Sequence, residues 1–322
     1  MRLTRYPGLF FGLVLVLLIQ LALSLPAQAQ PLRVTLGTAT PGGGFQLFGR
    51  HLVEVLNAHS TAIQLEEQPT RGSRQNLTLL EKGAIDIGQV EGNAARVALE
   101  GIDRDPANLK VLTVMYPNPG MFVVRADSPY RSIADLKGKS IAFGTRASGL
   151  RILAADVLDG LGLNPDQDFE PIILDKAGDG PALVLEQKAA ALWGAGIGWP
   201  GFVKVADSHI GARFIAPDAE QIVRIRQRHP HLKPMSLPAS TYRSQDNAIE
   251  SVGLWSLILV RPDLADETVY QLTRALHQSE SALAGQLAQA RYTTAQNTVE
   301  QVPPQRLHPG VVRYYRETGL LQ

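Results

Sequence analysis

The sequence predicts an α/β protein built from two units, in each of which helices cover a sheet. Short runs of β-branched residues alternate along the chain with stretches of helical periodicity, a pattern typical of a sheet with helices on its faces. The chain has 322 residues, of which 45% are hydrophobic. A chain of this length and apolar content usually forms about two domains. We therefore expect two α/β units arranged as a clamp.

The first 29 residues have the order of a secretory signal peptide. Arg2 and Arg5 precede an almost unbroken apolar run over residues 8–25, and an A-x-A motif ends at Ala29. We expect cleavage after Ala29 and, in a bacterium, a location in the periplasm. The alternative is an uncleaved membrane anchor, because the apolar run is close to the shortest length that spans a bilayer.

Composition excludes several classes of protein. The chain contains no cysteine, which excludes disulfide frameworks, cysteine zinc sites and thiol nucleophiles. Its 31 Lys and Arg residues are balanced by 30 Asp and Glu residues, so no net basic field attracts nucleic acid. We expect no nucleic-acid partner.

The first unit begins with a β-α-β-α-β pattern. The expected strands are Leu32–Gly37, Ile63–Glu66 and Ile85–Val90, followed by the extended runs Val111–Tyr116 and Met121–Arg125. A glycine-rich loop precedes the first helix, in which residues 45, 48, 52 and 55 share one apolar face. The second helix is expected to begin at Ser73, a residue type favoured at the N-cap.

The second unit repeats this pattern. Its expected strands are Ser140–Phe143, Ile172–Leu174 and Ala189–Ala195, and Leu254–Val260 is expected to return the chain to the first unit. One long amphipathic helix is expected over residues 266–290, and Pro309 is expected to begin a last helix. This division assigns residues 30–124 and 253–322 to the first lobe and residues 125–252 to the second.

Two loops are the strongest candidates for ligand contacts. Residues 38–45 and 144–149 each connect a strand to the start of a helix. Ligands collect at this edge of an α/β sheet, because helix N-termini offer unpaired N–H groups and a partial positive charge. The loops therefore indicate a pocket for an anion or carboxylate, although both could be tight turns without a ligand. The candidate residues are Thr38, Gly43, Gly44, Phe45, Thr145 and Ser148.

A third segment, residues 70–76, also precedes a helix. There Ser73 and Asn76 could donate hydrogen bonds to a ligand, and Arg71 or Arg74 could pair with a carboxylate. The alternative is a capped helix with solvated arginines. The sequence does not decide whether Arg146 of the second loop contacts a ligand. Two residues that follow strands complete the candidate set, the polar Gln89 and the aromatic Trp199, which could instead be a core tryptophan.

Several other motifs do not support a chemical role. Residues 196–201 match G-x-G-x-x-G, but Trp199 and Pro200 stand where the loop would approach a pyrophosphate. No serine-hydrolase, zinc-protease or Walker A motif is present. His229 and His231 could be a metal pair, but a solvated proline-containing loop is the expectation, since no carboxylate cluster lies nearby in the sequence. We therefore predict no enzyme activity, cofactor or metal site.

The ordered set of motifs resembles the TAXI family, the solute receptors of one branch of tripartite ATP-independent periplasmic (TRAP) transporters. The matching segments are residues 37–45, 70–77, 83–90, 132–139 with 144–149, 269–273 and 307–310 with Tyr314, Tyr315 and Glu317. They cover nearly the whole chain after residue 29. One departure is Phe45, which stands where the family usually has tyrosine.

This resemblance implies a type II periplasmic binding-protein fold, in which two α/β lobes joined by a hinge close on a small solute. It also implies a monomeric receptor that delivers an organic anion to a TRAP permease in the membrane. The expected solutes are amino acids such as glutamate, dicarboxylates or 2-oxo acids. The alternatives are the same fold serving an ABC importer or a sensor protein, and a secreted enzyme on a two-lobe scaffold.

Overall fold

A computed structural model describes residues 30–322, so the expected signal peptide lies outside the described residues. In chain order the strands are β1 (Leu32–Gly37), β2 (Ile63–Gln68), β3 (Ile87–Val90), β4 (Lys110–Pro117), β5 (Gly120–Arg125), β6 (Ser140–Thr145), β7 (Glu170–Leu174), β8 (Ala191–Ala195), β9 (Ala212–Ile215), β10 (Lys233–Leu237), β11 (Ile249–Gly253) and β12 (Trp255–Val260). Most of the strands predicted from the sequence are present with ends within a few residues of those expected.

The described range contains eleven α-helices, the last four of which follow β12. They are α1 (Gly44–His59), α2 (Ser73–Glu81), α3 (Gly92–Glu100), α4 (Leu150–Gly160), α5 (Gly180–Leu185), α6 (Pro200–Ala206), α7 (Ala219–Arg228), α8 (Asp266–Gln278), α9 (Glu280–Gln286), α10 (Ala295–Gln301) and α11 (Pro309–Glu317). The expected apolar face of α1 is buried, because Phe48, Leu52 and Val55 all lie in the core.

Two five-stranded sheets form the centres of two lobes. Their orders are β2-β1-β3-β12-β4 and β7-β6-β8-β5-β9. In each sheet one strand runs against the others: β12 is antiparallel to β3 and β4, and β5 is antiparallel to β8 and β9. Each of these two strands directly follows the segment in which the chain crosses from one lobe to the other. The lobes are therefore joined by two crossing segments.

The first crossing falls earlier than the sequence-based division placed it. That division ended the first lobe at residue 124, inside β5, whereas Gly120 already pairs with Ala195 of the second sheet. The crossing thus lies at Asn118 and Pro119. The turn signal there marked the end of a strand correctly, but a turn does not reveal which sheet the next strand joins.

The two faces of the second sheet are both buried. Along β5, Phe122 and Val124 belong to one hydrophobic cluster, and Met121 and Val123 belong to another on the opposite face. This division follows from the alternation of side chains along a strand. It explains why β5 is a continuous apolar run rather than an alternating one.

The long helix predicted over residues 266–290 is interrupted. Helix α8 ends at Gln278, and α9 begins after Ser279, whose N–H is shared by the carbonyl groups of Ala275 and Leu276. The next helix stops where Leu287 becomes extended, with φ −148° and ψ 121°. Amphipathic periodicity continues across both breaks, so the sequence pattern alone did not show them.

Candidate ligand-binding site

A cavity lies between the two lobes. Its walls come from the carboxyl ends of strands in both sheets and from the first turns of α1, α2 and α4. This is the position at which ligands bind in α/β sheets. Both loops selected from the sequence contribute to the wall.

Most of the predicted site residues lie on this wall. They are Gly43, Gly44, Phe45, Ser73, Thr145, Ser148 and Trp199. They come from both lobes and are separated by up to 156 positions in the chain (199 − 43).

Three predicted residues lie behind the wall, where they support the loops. Thr38 is buried and donates through its hydroxyl to Oε1 of Glu67 at 3.0 Å. The buried Nδ2 of Asn76 lies within hydrogen-bond distance of three carbonyl oxygens: 3.2 Å from Gly37, and 2.8 Å from both Thr38 and Gln89. Asn76 therefore ties the ends of β1 and β3 to α2, and Gln89, itself fully buried, takes part through its backbone.

Three helices begin at the cavity with glycine as the N-cap residue. The N-cap residues of α1, α2 and α4 are Gly43, Gly72 and Gly149, which have no side chain to cap the helix. At α4 the hydroxyl of Ser148 accepts a hydrogen bond from the N–H of Leu150 at 3.3 Å. All three glycines line the cavity. Helix N-termini carry unpaired N–H groups and about half a positive charge. The cavity therefore has a local field suited to an anion.

A fourth helix end at the cavity is already capped. The carboxylate of Glu91 accepts hydrogen bonds from the N–H groups of Asn93 at 3.0 Å and Ala94 at 3.3 Å, at the start of α3. Burial raises the pKa of Glu91 from 4.5 to about 7, and its hydrogen bonds only partly oppose this shift. The sequence reasoning missed Glu91, although its position immediately after β3 and before a helix could have indicated it.

Aromatic side chains form much of the remaining wall. Besides Phe45 and Trp199, the structure adds Tyr116, Phe143 and Trp193, which the sequence did not single out. The indole N–H of Trp193 donates to the carbonyl of Leu150 at 2.9 Å, so its polar atom is satisfied at the start of α4. The cavity thus combines a polar region with a largely apolar remainder.

Close packing fixes the position of Trp199. A β-carbon on Gly194 would lie 2.6 Å from the indole ring, and one on Gly201 would lie 2.3 Å from it. The ring also packs edge-to-face on Phe202, with the ring centres 4.9 Å apart. Trp199 therefore serves as both a wall residue and a core residue, which joins the two alternatives left open by the sequence.

Hydrogen bonds close the mouth of the cavity at two places. Near α2, the N–H of Arg74 donates to the carbonyl of Ala147 at 3.2 Å. On the other side, the N–H groups of Ala177 and Gly178 donate to Thr40 Oγ1 and Pro41 O at 3.1 and 3.2 Å. Each bond joins one lobe to the other, so the structure shows the closed arrangement of the lobes.

The two crossing segments are bonded to each other. The amide Nδ2 of Asn118 donates to Ser256 Oγ at 2.6 Å, and the backbone N–H of Asn118 donates to the carbonyl of Leu254 at 3.1 Å. Asn118 and Ser256 also line the inner end of the cavity. The hinge and the floor of the cavity therefore share residues.

The sequence did not decide which of three arginines contacts a ligand, and the structure places the three differently. Arg71 lines the mouth of the cavity and is exposed, whereas Arg74 and Arg146 are exposed but are not part of its lining. Only Arg71 of the three is thus placed to attract an anion into the cavity.

The two histidines expected in a solvated loop are instead mostly buried. The side chains of His229 and His231 are 16% and 19% exposed, and both face Asp156 of α4. The loop packs on a helix that is about 75 residues away in the chain, and sequence proximity could not show this contact.

The two lobes, the crossing strands and the cavity between them define the two-lobe fold of periplasmic binding proteins. Among solved structures, a protein of Bordetella bronchiseptica RB50 is 11% identical, with 89% of this chain and 98% of that chain covered and a TM-score of 0.56. The chain belongs to the NMT1-like family, whose model matches residues 36–319. The expected two-lobe periplasmic binding-protein fold is therefore confirmed.

Two further similar solved structures are those of binding proteins. A binding protein component of an ABC phosphonate transporter from Pseudomonas aeruginosa is 14% identical, with 82% of this chain and 80% of that chain covered and a TM-score of 0.50. The alkanesulfonate-binding protein SsuA from Xanthomonas axonopodis pv. citri, bound to MOPS, is 19% identical over 90% and 84% of the two chains, with a TM-score of 0.48. At these identities the likeness concerns the fold. Among residues 30–322, no helix has the length and apolar content needed to cross a bilayer.

Proposed function

We propose that the protein is a periplasmic receptor that captures a small organic anion between its two lobes and delivers it to a membrane transporter. One observation carries this proposal: three helix N-termini, from both lobes and each with glycine as its N-cap residue, converge on one closed cavity. Such ends bind carboxylate and related groups through backbone N–H groups. The ligand is held between the lobes, so its binding favours the closed state.

The ligand's charged group lies near Gly44, Ser73 and Ser148 in this proposal. Its less polar part faces Phe45, Tyr116 and Trp199, which form the largely apolar remainder of the wall. Amino acids, dicarboxylates and 2-oxo acids are the solutes expected from the family resemblance. Thr38, Asn76 and Gln89, which the sequence also suggested as ligand contacts, act in this proposal by holding the loops in place.

The region of Glu91 narrows the choice of solute. A fully ionised carboxylate beside the ligand would repel an anion, whereas a protonated Glu91 can donate a hydrogen bond to it. Because the pKa of Glu91 is about 7, either an anion bound with the protonated acid or a zwitterion whose ammonium group pairs with the carboxylate fits the cavity. An amino acid is a solute of the second kind, since its carboxylate can face the helix ends and its ammonium group can face the carboxylate of Glu91.

We test the solute with the chain from Gln30 to Gln322 in a thermal-shift screen. The panel contains amino acids, dicarboxylates and 2-oxo acids at millimolar concentration, with phosphonates and sulfonates as further anions. A ligand present at about a thousand times its dissociation constant stabilises the folded state by about 4 kcal/mol, which corresponds to several degrees in melting temperature. A folded sample that responds to no anion or zwitterion, but does respond to a neutral or cationic solute, would contradict the proposed class.

The transporter is proposed to be of the TRAP type, on the basis of the ordered motifs shared with TAXI receptors. The alternative, an ABC importer, is favoured by the transport names of the structural neighbours. Uptake of the identified solute by cells that depend on this receptor distinguishes them. Collapse of the ion gradient with ATP maintained abolishes uptake by a TRAP transporter, whereas ATP depletion with the gradient maintained abolishes uptake by an ABC importer.

A further inference from the structure

A second cluster of polar side chains lies in the second lobe, outside the cavity. Asp156 of α4 faces His229 and His231, which lie in the loop between α7 and β10. One ring nitrogen of each histidine and one carboxylate oxygen of Asp156 all lie within 4.8 Å of one another. His231 Nε2 is 3.0 Å from Asp156 Oδ2, and His229 Nδ1 is 3.7 Å from Asp156 Oδ1.

A further carboxylate orients one of these histidines. His229 Nε2 lies 2.7 Å from Asp159 Oδ2, and Asp159 Oδ1 accepts a hydrogen bond from Arg228 at 2.9 Å. When the Nε2 proton of His229 is directed at Asp159, the lone pair of Nδ1 points toward the carboxylate of Asp156. A carboxylate that holds the far nitrogen of a histidine in this way is a common second layer of metal sites.

We propose that Asp156, His229 and His231 form a binding site for a divalent transition-metal ion, with Zn²⁺ as the best match. Imidazole and carboxylate ligands suit Zn²⁺, whereas Mg²⁺ and Ca²⁺ prefer oxygen ligands alone. Bonds of about 2.0–2.2 Å in tetrahedral geometry place ligand atoms about 3.3–3.6 Å apart. The distances of 3.0 and 3.7 Å run to different oxygens of Asp156. One atom of each of the three residues lies within 4.8 Å of the others, so side-chain rotations must draw these atoms together around the ion.

The charges around the cluster are mixed. Asp156 and Asp159 contribute negative charge, while Arg228 and the guanidinium of Arg96 on α3 contribute positive charge. Arg228 is engaged by Asp159, and Arg96 is engaged by Glu100 at 3.2 Å. The protein supplies three ligands, so water completes the fourth position in this proposal.

A metal here would join parts of the second lobe that are far apart in the chain. It would fix the loop after α7 to α4, and the first turn of α4 borders the ligand cavity. The inference does not depend on the identity of the solute or of the transporter. It predicts that the metal stabilises the folded protein in the absence of any solute.

The test uses the chain from Gln30 to Gln322, treated with a chelator and then titrated with ZnCl₂. We expect one Zn²⁺ per chain by calorimetry and by competition with a chromophoric chelator. The melting temperature should rise by several degrees when free Zn²⁺ exceeds the dissociation constant a hundredfold. Millimolar Mg²⁺ should cause no comparable rise. X-ray absorption of the loaded protein should show two imidazole nitrogens on the metal.

Variants locate the site. His229→Gln, His231→Gln and Asp156→Asn should each weaken Zn²⁺ binding by at least about tenfold, because loss of even an outer partner of a metal ligand costs about 10- to 100-fold in affinity. His209→Gln is the matched control, because His209 is exposed and belongs to no such cluster among the described residues. It should bind Zn²⁺ as the unmodified chain does.

Three outcomes would overturn the proposal. These are a folded unmodified chain that takes up no Zn²⁺, an Asp156→Asn variant with unchanged affinity, and an equal loss of affinity in the His209→Gln control. Asp156→Asn is the decisive variant if a histidine variant fails to fold, because asparagine keeps the shape of aspartate. Circular dichroism of each variant without metal separates lost binding from lost folding.

Discussion

The hydroxyl oxygen of Thr40 accepts a hydrogen bond from the backbone N–H of Ala177 at 3.1 Å, and this bond joins the two lobes across the mouth of the cavity. Beside it, a β-carbon on Gly178 would lie 3.2 Å from the carbonyl oxygen of Pro41 and 3.3 Å from Cα of Gly42. The closed arrangement therefore leaves no room for a large side chain at position 178.

Gly178→Leu should weaken solute binding by hindering closure. Overpacking of this kind costs about 1–3 kcal/mol, so we expect the dissociation constant to rise by about tenfold or more. Isothermal titration with the solute found in the thermal-shift screen measures the change. Gly285→Leu is the matched control, because a β-carbon at Gly285 would meet nothing within 4 Å. Equal affinities for the two variants would show that the lobes do not need this contact to hold the ligand.

Arg71→Gln should weaken binding of an anionic solute by about two- to fivefold, since an exposed ion pair contributes up to about 1 kcal/mol. Arg71 lines the mouth of the cavity, whereas Arg74 does not. Arg74→Gln is therefore the control and should bind as the unmodified chain does. The difference between the two variants should shrink as salt is raised, because salt screens exposed charges. A larger effect from Arg74 would contradict the assignment.

Asn76→Ala should destabilise the protein rather than act on the ligand. Its side-chain amide lies within hydrogen-bond distance of three buried carbonyl groups, and each buried group left without a partner costs about 1–3 kcal/mol. We expect the free energy of unfolding to fall by about 2–4 kcal/mol in urea denaturation. The exposed Asn108 provides the control, because Asn108→Ala removes an amide from the surface. A stable Asn76→Ala variant with weakened binding would restore the role suggested by the sequence.

Glu91 should make stability depend on pH in a specific window. Its pKa is raised from 4.5 to about 7 in the folded protein, so the folded state holds this proton more tightly than the unfolded state does. The associated stability is present below about pH 4.5 and is lost as pH rises through about 7. A shift of this size corresponds to a change on the order of 3 kcal/mol.

Glu91→Gln should remove that dependence. The difference in free energy of unfolding between this variant and the unmodified chain, followed from pH 4 to pH 8, isolates the Glu91 contribution from that of other carboxylates. Glu250→Gln, a change at an exposed site, should leave the slope unchanged. A difference that stays constant with pH would show that the pKa of Glu91 is the same in the folded and unfolded states, which would contradict the raised pKa.

The sequence by itself determined the elements and the loops that face the cavity. Alternating runs of β-branched residues and helical periodicity depend on neighbours within about ten positions, so strands such as β1 and helices such as α1 could be placed from local pattern. The glycine-rich loop at residues 38–45 and the loop at 144–149 were recognisable for the same reason. Where a strand leads directly into a helix, the unpaired N–H groups of the first helical turn lie at the carboxyl end of that strand.

The tertiary structure decided which residues meet. Asn76 and Gln89 occur in polar motifs typical of ligand contacts, yet both side chains are buried behind the wall. Glu91 and Tyr116 line the cavity, although neither belongs to a glycine-rich loop. Local pattern gives the face of an element but not the element packed against that face, so it could not separate a supporting residue from a lining residue.

The same reason applies to the histidine cluster and to the crossing of the chain. Asp156 and His229 are 73 positions apart in the sequence (229 − 156), and only the packing of α7 on α4 brings them to 3.7 Å. Strand β5 joined the second sheet because its pairing partners, β8 and β9, lie later in the chain. Contacts of this range depend on strand order and helix packing, which local propensities do not encode.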